Sequence, residues 1–162
     1  NAVLGGGMSS RLFQKLRVEM GVCYYIYSGV NEYTDHGDFA ISAGVDPKRV
    51  EEVFRVLVGE LNKLKTEDVL ERELAKAKEQ LLGTLAMDLE SSDQIAYFVG
   101  IQSVVRGKVK TLEEIEKEIR KVTPRDIRNL AREIFVNKRL NAAMVGNVSN
   151  AKKLKSVLKF DS

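Results

Sequence analysis

The chain is short of the residues that most often announce a chemistry. It has one cysteine and one histidine in 162 residues. A single Cys23 excludes an internal disulfide framework, and one Cys with one His cannot assemble a metal site of ordinary ligand count. No apolar run approaches the roughly 18 residues that a membrane-spanning helix needs, and no signal-peptide pattern opens the chain. The expectation is therefore a cytoplasmic protein without a membrane partner. Charge of one sign is not segregated either: 26 basic and 23 acidic residues leave a net charge of +3. Without a basic patch there is no electrostatic footprint for nucleic acid. No 20–50-residue repeat or low-complexity tract divides the chain.

What is present is ordinary for a globular domain, with 44% hydrophobic and 30% charged residues. The length suits one domain, 1–162, able to bury one sizeable core. The chain begins with Asn1 and meets a glycine-rich motif almost at once. A domain seldom starts at its own active loop, so the expectation is a piece of a longer polypeptide.

Gly5, Gly6 and Gly7 read as a turn or a close backbone approach. Ser9 or Ser10 is placed to cap a helix that carries Leu12, Phe13, Leu16 and Met20 inward. Gly21 suits the left-handed position past its end. Val22 to Tyr33 and Phe39 to Val45 read as the strands of a hairpin around Asp35-His36-Gly37. Asp46-Pro47 then opens a helix to about Leu64, with Val50, Val53, Phe54, Leu57, Leu61 and Leu64 on one face. A helix follows from about Glu67 to Leu89, striped by Leu70, Leu74, Ala77, Leu81 and Leu85. Another spans Ser92 to Val105 and ends at Gly107. Thr111 with Glu114 forms a capping box for a short helix. Thr123-Pro124 starts one with Ile127, Leu130, Ala131 and Ile134 inward. Leu140 to Val145 reads as a buried strand, and a short helix near Ala151 to Leu158 closes the chain. Strands and helices do not alternate singly, which points to an α+β fold: a mostly antiparallel sheet with helices packed on one face.

Each chemical motif has a plain alternative. The glycine triplet ahead of a helix could cradle an anion or nucleotide through Gly5 to Ser10, but it lacks a Gly-Lys-Ser/Thr ending and a GxGxxG pattern. Arg17 is either a solvated surface cation or a planar fork of donors for a carbonyl or carboxylate. Tyr24 is either a half-buried strand aromatic or a phenol that donates to an oxygen gaining negative charge. A helix that ends at Gly21 and reverses into a strand can bring both to one rim. Cys23 lies next to Tyr24 on the opposite strand face and reads as a buried thiol with no His beside it. His36 reads as a surface turn residue. Glu51-Glu52 and Glu113-Glu114 read as solvated helix faces.

The run LGGGMSSRLFQKLRVEMGVCYY, Leu4 to Tyr25, resembles the C-terminal half-domain of the pitrilysin/insulinase zinc peptidases, in a processing-peptidase-like branch. VTPRDIRNLAREIF and RLNAAMVGN resemble that family's last helix and a strand ending in Val-Gly. Val22 and Cys23 stand where the family has Leu-Ala. The resemblance implies half of a clamshell whose first strands would precede Asn1. The N-terminal half would carry His-x-x-Glu-His and bind zinc, which this chain cannot do. It implies that Arg17 and Tyr24 hold peptide carbonyl oxygens and help stabilise the oxyanion. The implied partners are the chain's own N-terminal half or a paired subunit, and a peptide or unfolded protein segment; a homodimer is compatible with that arrangement. The second reading is a non-catalytic structural subunit of the same fold, like the core proteins of the respiratory cytochrome complex.

Overall fold

A computed structural model describes residues 1–147 and 151–161. In chain order the elements are α1 (Phe13–Glu19), β1 (Cys23–Glu32), β2 (Gly37–Val45), a short 3-10 turn (Pro47–Arg49), α2 (Val50–Thr66), α3 (Glu71–Asp88), α4 (Ser92–Ile101), α5 (Leu112–Lys121), α6 (Pro124–Ile134) and α7 (Ala151–Val157). β1 and β2 form an antiparallel hairpin, the two strands of the sheet among the described residues. Among the described residues, no helix is long and apolar enough to cross a membrane.

The core grows from the opening loop. Leu4, Leu12 and Leu16 are fully buried and join Val22, Ile26, Val53, Leu61, Leu64, Ala131 and Phe135 in one cluster. The inner face of the hairpin closes it, with the Phe39 ring edge-on to Phe135 at 5.5 Å and Phe135 against Phe160 at 6.0 Å. Local signals act as the sequence predicts at most helix starts. Asp46 accepts from Lys48 N–H ahead of Pro47, and complete capping boxes stand at Ser91/Gln94, Thr111/Glu114 and Thr123/Asp126. Each satisfies helix-start amides that would otherwise lack partners.

Several expectations need correction. Leu140 to Val145 is not a strand: it has no ladder partner among the described residues, and Val145 is fully exposed. Strand propensity forms no ladder without a neighbour to supply half of the hydrogen bonds. The helix expected from Glu67 begins at Glu71, because residues 67–70 leave the helical path after Thr66. Its stripe is buried at Leu74 and Ala77, while Leu70 and Leu81 are exposed. Leu130, expected inward on α6, also faces solvent. The helix from Ser92 keeps α geometry to Ile101, then widens over Gln102–Arg106 before Gly107 ends it at φ 65°. Ser10 does not cap α1; its hydroxyl donates back to the Gly7 carbonyl.

Candidate functional site: the corner between α1 and β1

The corner is built from backbone upward. Gly5 lies directly against Ser28, whose N–H donates to the Gly5 carbonyl at 3.0 Å. This ties the opening loop to the outer edge of β1. The chain then turns into α1, where the amides of Arg11 and Leu12 donate to the carbonyls of Val3 and Leu4 at 3.0 and 2.9 Å. Those first amides of the helix are already engaged and are not open to an anion. Gly5, packed against Ser28, makes this end of the glycine triplet a packing loop.

α1 has wide turns, with Met20 N–H reaching back five residues to Lys15, and past its end Val22 N–H reaches back six residues to Leu16. Wide helical turns of this type occur often at functional sites. Leu16 anchors the helix in the core, which leaves Arg17 on its solvent side. Gly21 then reverses the chain at φ 60°, a conformation costly for any residue with a Cβ. Arg49 holds the reversal from below: it donates to the Met20 carbonyl at 3.2 Å and clasps Glu52 at 2.7 and 2.9 Å.

β1 then departs from strict alternation. Cys23 pairs with Val45, but Tyr25 pairs with Gly44, so Tyr24 occupies a bulge. A bulge shifts every preceding residue to the other face. Without it, Tyr24 would share the inner face with Ile26 and Ser28. With it, Cys23 points inward and Tyr24 and Tyr25 both point out, 84% and 45% exposed. The half-buried alternative for Tyr24 is thereby removed.

Arg17 and Tyr24 come together at this rim. The Arg17 guanidinium donates through Nη1 to the Tyr24 backbone carbonyl. Its carbon lies over the Tyr24 ring at 5.9 Å and over Phe13 at 5.4 Å, both within cation–π range. This leaves further guanidinium N–H groups and the Tyr24 phenol beside each other in solvent, two kinds of donor suited to an acceptor oxygen. Burial pushes the Cys23 thiol above its ordinary range, and the charges of Arg17 and Arg49 only partly counter that. A raised, buried thiol is a poor nucleophile. His36 stacks on Tyr33 at 4.5 Å and meets Asp35 at 2.6 Å on the far hairpin turn, away from the corner. Among the described residues, no group of three or more His, Cys, Asp or Glu side chains can hold a metal ion. The residues present do not fit zinc.

The family resemblance, more than the residues singly, directs attention to Arg17 and Tyr24; neither Phe13 as the second ring under the guanidinium nor the bulge is expected from the sequence. The signal for the bulge was the Tyr24-Tyr25 doublet after Cys23, which cannot alternate without burying one phenol.

With this geometry in place, comparison with known proteins decides the family. A model described as the peptidase M16 inactive domain matches residues 1–81. The chain belongs to the peptidase M16 family. The zinc protease YmxG of Bacillus subtilis is 36% identical over 135 residues, covering 83% of this chain and 33% of that protein. A protease from Helicobacter pylori superposes with a TM-score of 0.75 at 25% identity, over 85% of this chain and 33% of that one. A chain of complex III from Candida albicans superposes at 0.69 and 21% identity, over 77% of this chain and 30% of that one, a likeness of fold alone. The M16 chain thus spans about a third of the length of the curated relatives it matches.

Proposed function

We propose that this M16 chain supplies the substrate-holding C-terminal part of a zinc metallo-endopeptidase that cleaves peptides or unfolded protein segments, in the cytoplasm. The observation that carries the reading is the meeting of Arg17 and Tyr24 at one exposed rim, built by Gly21 and the β1 bulge. Relatives named as zinc proteases support the reaction class. The metal and the water-activating carboxylate belong to a second half, in the same polypeptide or a paired subunit, since this chain has no metal-binding group among the described residues.

In that setting the Arg17 fork holds a backbone carbonyl of the substrate on either side of the scissile bond. The Tyr24 phenol donates to the oxygen that gains negative charge. Donors fixed in advance stabilise the transition state more than the ground state, because no reorganisation is needed when the charge develops. Phe13 under the guanidinium limits its swing and keeps the fork aimed outward.

The chain by itself is expected to bind no stoichiometric zinc and to leave an unfolded protein substrate intact, while the assembly with its zinc-bearing half hydrolyses it. Metal analysis with a peptide-hydrolysis assay checks both, and stoichiometric zinc in the chain alone would sink the assignment. The complex III likeness supports a second reading, a structural subunit of the same fold. In that case the complete assembly would hold no zinc and cleave nothing.

A further inference from the structure

Between Leu16 and Val22 the corner has no fully buried side chain: Arg17, Val18, Glu19 and Gly21 face solvent, and Met20 is half-buried. Nothing lies where a Cβ on Gly21 would stand, so the reversal is not backed by packing on that side. Core packing fixes the chain at Leu16 and again at Val22 and leaves the residues between them to hydrogen bonds. Met20 N–H to Lys15, Val22 N–H to Leu16 and Arg17 to the Tyr24 carbonyl join parts of the corner to each other. Among the described residues, the hydrogen bond that reaches 17–21 from elsewhere in the fold is the 3.2 Å bond from Arg49 Nη1 to the Met20 carbonyl.

Arg49 is itself held. Asp46 accepts from Lys48 N–H ahead of Pro47 and sets the turn from which Arg49 projects. Glu52, one helical turn on, accepts from Nε at 2.7 Å and from Nη2 at 2.9 Å. Two parallel bonds fix the plane of a guanidinium, and Nη1 is the donor left for Met20. α2 in turn is seated through Val53, Leu61 and Leu64 in the core. A line of contacts therefore runs from the core through α2, Glu52 and Arg49 to the Met20 carbonyl. That carbonyl opens the turn that separates Arg17 from Tyr24.

We infer that Arg49 is a positioning residue for the rim: through the Met20 carbonyl it fixes the Gly21 reversal, and hence the spacing of the Arg17 fork and the Tyr24 phenol. Its hydrogen bonds go to Met20 and Glu52, so it acts through the turn. Lysine can reach one of these acceptors but has no planar fork to hold both. The inference rests on the reading above that Arg17 and Tyr24 hold the substrate. Misplacing a catalytic group by about 1 Å through a change outside the chemistry can lower turnover by about 100-fold, so a small slide of the turn is enough.

Steady-state kinetics of the complete enzyme test it, with zinc content and Tm measured on each variant. Arg49→Ala should lower kcat by at least about 10-fold, with zinc still bound and KM changed far less. Arg49→Lys, which restores one donor, should recover part of the lost turnover. Glu52→Ala, whose wild-type side chain hydrogen-bonds to Arg49, should lower kcat in the same direction and keeps the test open if Arg49→Ala does not fold. In a Tyr24→Phe background Arg49→Ala should lower kcat by much less than it does alone, because effects passed through one group do not multiply. Wild-type kcat in Arg49→Ala and Glu52→Ala, beside an impaired Tyr24→Phe, would make the clasp a stabilising contact only and overturn the inference while leaving the catalytic reading intact. Losses that multiply fully would place the action of Arg49 elsewhere and overturn it as well. Wild-type turnover in Tyr24→Phe and Arg17→Ala would remove the catalytic reading, and the role of Arg49 with it.

Discussion

Replacing Gly5 by alanine tests whether the corner depends on the contact between the opening loop and β1. An added Cβ would come 2.5 Å from Ser28 Oγ, 2.8 Å from Ser28 N and 2.9 Å from Ser28 Cβ. Two of these atoms are fixed by the strand, so no rotamer change relieves the clash and the loop must separate from β1. Separation loses the Ser28 N–H bond to the Gly5 carbonyl, worth about 1 kcal/mol net. Overpacking in a closely packed region adds about 1–3 kcal/mol. The sum, about 2–4 kcal/mol, corresponds to a fall in Tm on the order of 10 °C for a domain of this size. Gly29→Ala is the matched control, one residue along the same strand, where an added Cβ meets nothing. Thermal unfolding followed by far-UV circular dichroism reads both variants. If Gly5→Ala melts no lower than Gly29→Ala, the loop does not seat the corner as argued.

Two further outcomes follow from the same hairpin. Gly44→Ala would place a Cβ 2.6 Å from the Tyr25 ring, which can swing away; stability should fall by less than about 1 kcal/mol, while the Tyr25–Tyr27 stack, 6.1 Å between centroids, is lost. The near-UV tyrosine signal should change with the far-UV spectrum intact, and an unchanged near-UV signal would contradict the ring placement. Cys23 is buried with its thiol pKa raised by desolvation, so a thiol reagent near neutral pH should react at least about 100-fold more slowly with folded than with denatured chain. The sign of the linkage follows: as pH rises through the ordinary thiol range the unfolded chain ionises first, so stability falls until the folded thiol ionises as well. Equal reaction rates in both states would refute the burial.

Much of the fold is legible locally because the determinants are local. The boxes at Thr111 and Thr123 and the Asp46-Pro47 start are decided within four residues, and each appears where the sequence places it. The misses need information from elsewhere in the chain. Leu140 to Val145 has strand composition, but a strand also needs a neighbour, and none lies beside it among the described residues. Leu70 and Leu130 have helical apolar spacing, but which face is covered depends on what packs there. At the candidate site, Arg17 and Tyr24 stand out through resemblance, since an arginine late in a helix and a tyrosine early in a strand are unremarkable singly. Their proximity depends on Gly21 at φ 60°, which the sequence does indicate, and on the bulge that turns Tyr24 outward, which strict alternation hides.

The most direct measurement is the turnover number for peptide hydrolysis by the complete enzyme carrying Tyr24→Phe or Arg17→Ala. Neither side chain is in the core, and both lie on the exposed rim, so fold and zinc content should be unchanged. Loss of one donor to a developing oxyanion should lower kcat by about 10²–10³. Wild-type turnover in both variants would contradict the role assigned to the corner.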